Sequence, residues 1–276
     1  SYTVTITVRP EPVANNSAVT VCSDSPVGVT LTTLGTAVAA ASYNIVVNNG
    51  GLIQSGGLAS AGVGMPANAL ADDEWENTGL NPVNVIYTVT PVSAAGCAGD
   101  AFTVTVTINP EPVGADAAFV RCSDQVVGVN LTTNVGSVAA TSYNIVVDPN
   151  GLTLSAGTAS AGNGRAASEI SDDVWRNTGL LPVVVTYTVT PVSAAGCLGD
   201  PFDVEVTVRP EPVGVNSTAI RCSDQVVGIT LTTNPGSVAA DTYTIAVAPN
   251  GLVLSAGTPS AGALKAANEI ADDVWR

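Results

Sequence analysis

The feature that most constrains this chain is that it repeats itself at a fixed interval. Asn84–Val113 reads NVIYTVTPVSAAGCAGDAFTVTVTINPEPV, and Val184–Val213 returns as VVTYTVTPVSAAGCLGDPFDVEVTVRPEPV. The second half of the same stretch also opens the chain, as Ser1–Val13. Cys22, Cys122 and Cys222 share one repeat position, Trp75, Trp175 and Trp275 another, and Cys97 and Cys197 a third. Arg121–Arg176 and Arg221–Arg276 agree at roughly three quarters of positions. A period of this kind means tandem units, each able to bury one modest core.

Each unit reads as strands. Tyr2, Val4, Ile6 and Val8 alternate with Ser1, Thr3, Thr5 and Thr7, which predicts a half-buried strand. Further strands are expected at Ala18–Val21, around Val27, Val29 and Leu31, around Tyr43, Ile45 and Val47, and at Leu52–Gln54. Gly56–Pro66 reads as irregular. The segments before the tryptophans, such as Ala167–Trp175, read as a turn leading into a strand. Val83, Val85, Tyr87 and Val89 mark the inward face of a long strand, and Phe102, Val104, Val106 and Ile108 that of the last one. Turn clusters such as Asn48-Asn49-Gly50-Gly51 separate these runs.

About seven short alternating strands per unit predict an all-β fold of tandem immunoglobulin-like antiparallel β-sandwich domains, arranged end to end. The expected divisions are 1–9, the last strand of a preceding domain; 10–109 and 110–209, two whole repeats; and 210–276, a third that stops before its last two strands. Arg9-Pro10-Glu11-Pro12 recurs at Asn109–Pro112 and Arg209–Pro212 and is expected to be a short stiff linker, because proline favours extended backbone.

Charge excludes several functions. Eight basic residues stand against twenty-three acidic ones, so neither nucleic acid nor an anionic membrane surface is an expected partner. No apolar run is long enough for membrane insertion. Histidine is absent and Lys265 is the one lysine. The commonest general base is therefore missing, no catalytic residue is identified, and no enzyme is expected.

Two cysteines per unit point to disulfides. Pairing within units would join Cys22 to Cys97 and Cys122 to Cys197. In a sandwich with immunoglobulin-like strand order, however, the first turn and the last hairpin loop lie at opposite ends. A strand of about eight residues spans roughly 27 Å, whereas a disulfide needs Cα atoms within about 7 Å. Cys22 would then face the next unit's hairpin and bond Cys197 between domains. Both pairings stand as expectations.

The recurring acids Asp24 and Asp124, Asp72 and Asp73, and Asp172 and Asp173, with Glu11, Glu111 and Glu211 near the linkers, are weak candidates for calcium between domains. No other cofactor is suggested, and solvated acidic turns account for the same residues. Trp75, Trp175 and Trp275 are expected in the cores, with sugar stacking as the alternative.

The run Pro10-Glu11-Pro12-Val13, Val21-Cys22-Ser23-Asp24, Leu31-Thr32-Thr33, Tyr87–Cys97 and Gly99-Asp100 resembles the PKD-like, immunoglobulin-like repeats of very large surface proteins of Bacteroidetes-type bacteria. The resemblance covers essentially the whole chain. It implies an extracellular, cell-surface location and a stalk-forming or adhesive role, with neighbouring repeats of the same fibre as the main partners. Two other roles are weighed. Each unit could present loops to a glycan or protein ligand, or the chain could be a filament subunit that assembles by strand exchange.

Overall fold

The computed structural model describes residues 2–276. Each of the first two repeats is a two-layer β-sandwich. In the first, β1 (Ser17–Cys22), β2 (Ala40–Asn48), β4 (Gly62–Met65), β6 (Val83–Ser93) and β7 (Phe102–Asn109) form one sheet in the order β1-β7-β6-β2-β4. β1 runs parallel to β7, with Cys22 opposite Asn109, and the other pairs are antiparallel. The facing layer holds β3 (Ile53–Gly56) and β5 (Glu74–Glu76).

The second repeat copies this arrangement. Its main sheet contains β8 (Ala117–Cys122), β9 (Ala140–Asp148), β11 (Gly162–Arg165), β13 (Val183–Ser193) and β14 (Phe202–Arg209). The facing layer pairs β10 (Thr153–Ala156) with β12 (Val174–Arg176), which follows a 3-10 turn at Glu169–Asp172. The third repeat carries β15 (Tyr243–Ile245), β16 (Leu254–Ala256), β17 (Gly262–Lys265) and β18 (Val274–Trp275).

The period-two patterns place the core. Val85, Tyr87 and Val89 of β6 and Phe102, Val104, Val106 and Ile108 of β7 are buried with Tyr43, Ile45, Val27, Leu31, Leu70 and Trp75. Their counterparts fill the second core, with Ile170 at the place of Leu70. β-Branched side chains on a pleated strand suit this half-buried surface.

Three expectations need correction. Tyr2–Val8 forms no strand: Tyr2, Val4, Ile6 and Val8 are all exposed. Alternation makes a strand only where a ladder partner lies alongside, and this segment has none among the described residues. (Ser1 lies outside them.) Val27–Leu31 is extended but not a regular strand. Gly28 sits at φ +68°, so the backbone donates only at intervals, from Val27 to Asp73, Gly28 to Ala71 and Leu31 to Ala67. Conversely, the glycine-rich stretch called irregular contains β4, which pairs with β2 across a register shift.

A buried polar chain links the layers. In the first repeat Trp75 Nε1–H donates to the Tyr87 hydroxyl (2.8 Å), which donates to Asp73 Oδ2 (2.7 Å). Ser60 Oγ–H donates to the same oxygen (2.6 Å), and Gln54 Nε2–H to Asp73 Oδ1 (3.1 Å). Burial raises the Asp73 carboxyl above its ordinary pKa; the Ser60, Tyr87 and Gln54 hydrogen bonds oppose this and the Asp72 charge adds to it. In the second repeat Trp175, Tyr187, Ser160 and Asp173 repeat the chain. There Leu154 occupies the position of Gln54, and Asp173 Oδ1 is buried without a partner.

This difference makes a prediction. Gln54→Leu removes a hydrogen bond to a carboxylate, so the first repeat should lose about 1.5 kcal/mol at neutral pH. A raised folded-state pKa favours folding below the ordinary carboxylate range and loses that contribution as pH rises through the folded value. The variant raises the Asp73 pKa further, so its deficit should shrink on acidification. Denaturant unfolding at two pH values checks this, and an equal deficit at both would refute it.

Candidate functional site: the junction between repeats

The site with most chemistry is the seam between the first and second repeats. β1 and β7 end side by side, placing Cys22 and the exit segment Pro110-Glu111-Pro112 at one pole of the first sandwich. The β13–β14 hairpin loop of the second repeat reaches back to this pole and carries Cys197. A disulfide joins Cys22 to Cys197, with Cα atoms 5.3 Å apart. Cys197 is therefore not bonded to Cys122, and Cys22 is not bonded to Cys97, as pairing within units would require. Strand length is the physical reason, since β7 separates the Cys22 pole from its own hairpin. Cys97, Cys122 and Cys222 are free thiols, the last two exposed.

The exit segment, expected as a linker, is a buried seam. Pro110, Glu111 and Pro112 are all buried. On one side the Glu111 N–H donates to the Asn77 carbonyl (3.0 Å). On the other, the Val113 N–H donates to Ser137 Oγ (3.3 Å), and the Asn134 N–H to the Val113 carbonyl (2.7 Å). The hairpin lies so close that a Cβ on Gly199 would overlap the Pro112 carbonyl oxygen, which explains glycine at this position. One backbone bond crosses between sandwiches directly, from Val138 N–H to the Gly79 carbonyl (3.0 Å).

Asn77 organises the first repeat's side of the seam. Its Nδ2–H donates to the carbonyls of Ile108 (2.9 Å) and Asn81 (3.1 Å), and its backbone N–H donates to Ser23 Oγ (2.8 Å). Asn177 repeats these bonds with Val208, Leu181 and Ser123. Neither asparagine stands out in the sequence except by recurring at the repeat interval next to an aromatic strand. Gly99 and Gly199 carry the same single signal.

The acidic candidates do not gather into a cage. Asp72 Oδ2 accepts from the Leu58 N–H and Asp172 Oδ2 from Thr158. Asp73 and Asp173 belong to the buried Trp–Tyr chains. Asp124 accepts from Ser155 (2.7 Å), and Asp24 accepts from Ser23 (3.0 Å). Among the described residues no group of three or more acidic or cysteine side chains is placed to hold a metal ion. Burial separates the paired acids: one of each pair turns into the core and its neighbour stays at the surface.

Electrostatics distinguishes the two seams. In the second, Arg176 Nε lies 3.2 Å from Glu211 Oε1 and 4.0 Å from Asp124 Oδ2. In the first, Glu76 occupies the position of Arg176. Glu111 is 4% exposed. Burial, then the charges of Asp24, Asp200 and Glu76, push its carboxyl up to about 7.

Trp75 and Trp175 are buried, whereas Trp275 is half-buried against Leu254. No helix among the described residues is long and apolar enough to cross a membrane.

The PKD-like domain family matches residues 19–112 and 120–212. No curated protein matches the chain. Drosophila N-cadherin EC1-4 is 12% identical at a TM-score of 0.27, over 70% of this chain and 48% of its own, so the chain spans about half of that structure's length. Fibronectin(III)-like modules of Clostridium thermocellum CbhA are 9% identical at a TM-score of 0.24, over 72% of this chain and 92% of theirs. Human protocadherin-24 EC1-2 is 14% identical at a TM-score of 0.23, over 75% of this chain and 100% of its own. Scores this low carry no argument about arrangement or activity. The family match covers well over half of the chain, in register with its two complete sandwiches, and the chain belongs to the PKD-like domain family.

Proposed function

We propose that this chain is a segment of an extracellular stalk, a non-enzymatic array whose sandwiches hold a distal element away from a cell surface. The observation that carries this reading is the Cys22–Cys197 bond, which joins one repeat to the next rather than closing either on itself. A binding module needs freedom to present its loops and gains nothing from such a bond. A spacer gains fixed orientation, because covalent and buried contacts remove the hinge that separate domains ordinarily keep. The buried Pro-Glu-Pro seam acts in the same direction, and array stability follows from each unit and its neighbour contacts. A bacterial surface fibre of the adhesin type is the setting the sequence resemblance suggests.

Electron microscopy of single molecules of the whole chain tests this. Oxidised molecules should show one fixed angle between the first two repeats, and reduced ones a broadened distribution. An angle equally variable in both states would overturn the stalk reading. Saturable binding to immobilised glycans would favour the ligand-presenting alternative.

A further inference from the structure

The first two repeats close the same corner with different side chains. β1 pairs Val19 with Val106, and β8 pairs Phe119 with Val206 in the same register, so both side chains leave their sheets at one place and towards the core. In the second repeat the Phe119 ring packs on that core. The Arg121 guanidinium lies 5.7 Å from the ring centroid, held by a bond from its Nε–H to the Val127 carbonyl (2.8 Å). In the first repeat, valines stand at both positions. The corner is left as an open-sided cleft of about 460 Å3 between β1 and segment 29–34. Val19, Val29, Leu31, Phe102 and Val104 make its apolar lining, and the exposed Asn15, Thr30 and Thr32 stand at its rim. An apolar interior with a few polar groups at one side is the usual character of a small-molecule site.

The rim also holds a directed acceptor. The Leu31 N–H donates to the Ala67 carbonyl on one side of the segment (2.7 Å), and in an extended chain the neighbouring residues turn their N–H and C=O groups to the other side. The third repeat shows what that other side faces. There the Thr232 carbonyl accepts from the N–H of Val215, the residue at the repeat position of Asn15 (3.0 Å). The Thr32 carbonyl of the first repeat therefore faces the cleft, and among the described residues no backbone N–H bonds it. We propose that this cleft is a binding site for a single-ring phenol, whose ring takes the place that Phe119 fills in the second repeat and whose hydroxyl donates to the Thr32 carbonyl. Phe102 in the lining offers an aromatic contact that a saturated ring does not exploit. A sugar would press hydroxyls against Val19, Val29 and Leu31, whose side chains give them no partner, and that burial is costly. The inference concerns the first repeat alone and holds or fails separately from the stalk reading.

Methyl-resolved NMR titration of the intact, oxidised chain with p-cresol, the tyrosine side chain as a free molecule, tests it. The Val19, Val29 and Leu31 methyls should shift saturably with a Kd on the order of 1 mM, the scale for a ligand of this size. The counterpart methyls of Val129 and Leu131 should stay still, because Phe119 already occupies their corner. Val19→Phe should weaken the first-repeat response by more than about tenfold, since a site filled by its own ring has no room for another. Phe119→Val should do the reverse and make the second repeat respond. Protection of the Leu31 N–H from hydrogen exchange reports whether Val19→Phe leaves the first repeat folded. If it does not, the gain in Phe119→Val decides. A blocked Thr-Tyr-Thr peptide separates two sources of the ring: tighter binding than p-cresol assigns it to a protein side chain, weaker binding to a free small molecule, and either supports the site. No saturable shift in the wild type, a response unchanged in a folded Val19→Phe, or no gain in Phe119→Val would overturn it. So would an equal response to cyclohexanol, or a response to methyl glucoside with p-cresol silent.

Discussion

Trp175→Ala should destabilise the second repeat by about 3–5 kcal/mol, the range for truncating a buried large aromatic. Trp175 is 7% exposed and packs with Val127, Leu131, Ile170 and Tyr187. Its removal opens a cavity between the layers and takes away the indole N–H bonded to the Tyr187 hydroxyl at 2.6 Å. Tyr187 would still donate to Asp173, so the network loses a member without stranding the carboxylate. Denaturant unfolding of the whole chain, followed by a probe in the second repeat, gives the measurement. A loss under about 0.5 kcal/mol, the scale of most surface substitutions, would mean that the indole is not a core anchor and would revive sugar stacking.

Much of this architecture can be read from the sequence wherever a residue's neighbours lie on its own strand or at the repeat interval. The alternation in Val83–Val89 and Phe102–Ile108 identifies the buried faces of β6 and β7, and recurrence identifies the tandem units. What the sequence conceals is pairing across the layers. Tyr87 and Asp73 are fourteen positions apart and on opposite layers, and an Asp-Asp pair reads as a turn or a calcium ligand until one member is seen inside. Gly28 hides a break in an alternating run, while the glycines around β4 hide a strand. Glu111 escapes for a different reason. A Pro-Glu-Pro segment looks like solvated linker, and its burial comes from being packed between the first repeat and a hairpin almost ninety residues further on.

The disulfide has the largest mechanical consequence. It closes a loop with a sequence separation of 175, and reduction should release up to about 5 kcal/mol of chain-entropy stabilisation from the joined repeats. Under load the effect is larger and simpler. A force applied at the two ends reaches Cys22 after one unpaired segment and β1, then crosses the S–S bond to Cys197. Everything from Ser23 to Gly196 is bypassed, while β1 and β14, the latter carrying Phe202, Val204, Val206 and Val208 of the second core, stay in the loaded path. Each residue contributes at most about 3.3–3.6 Å of contour, so reduced molecules pulled to full extension should be longer than oxidised ones by about 600 Å. Single-molecule stretching with and without a thiol reductant measures this directly, and Cys22→Ser should reproduce the reduced trace without the reagent. Equal contour lengths in both states would mean that the bond does not form in the native chain. The expected difference would mean that tension passes from repeat to repeat along a covalent path, with only β1 and β14 left to resist being drawn from their sheets.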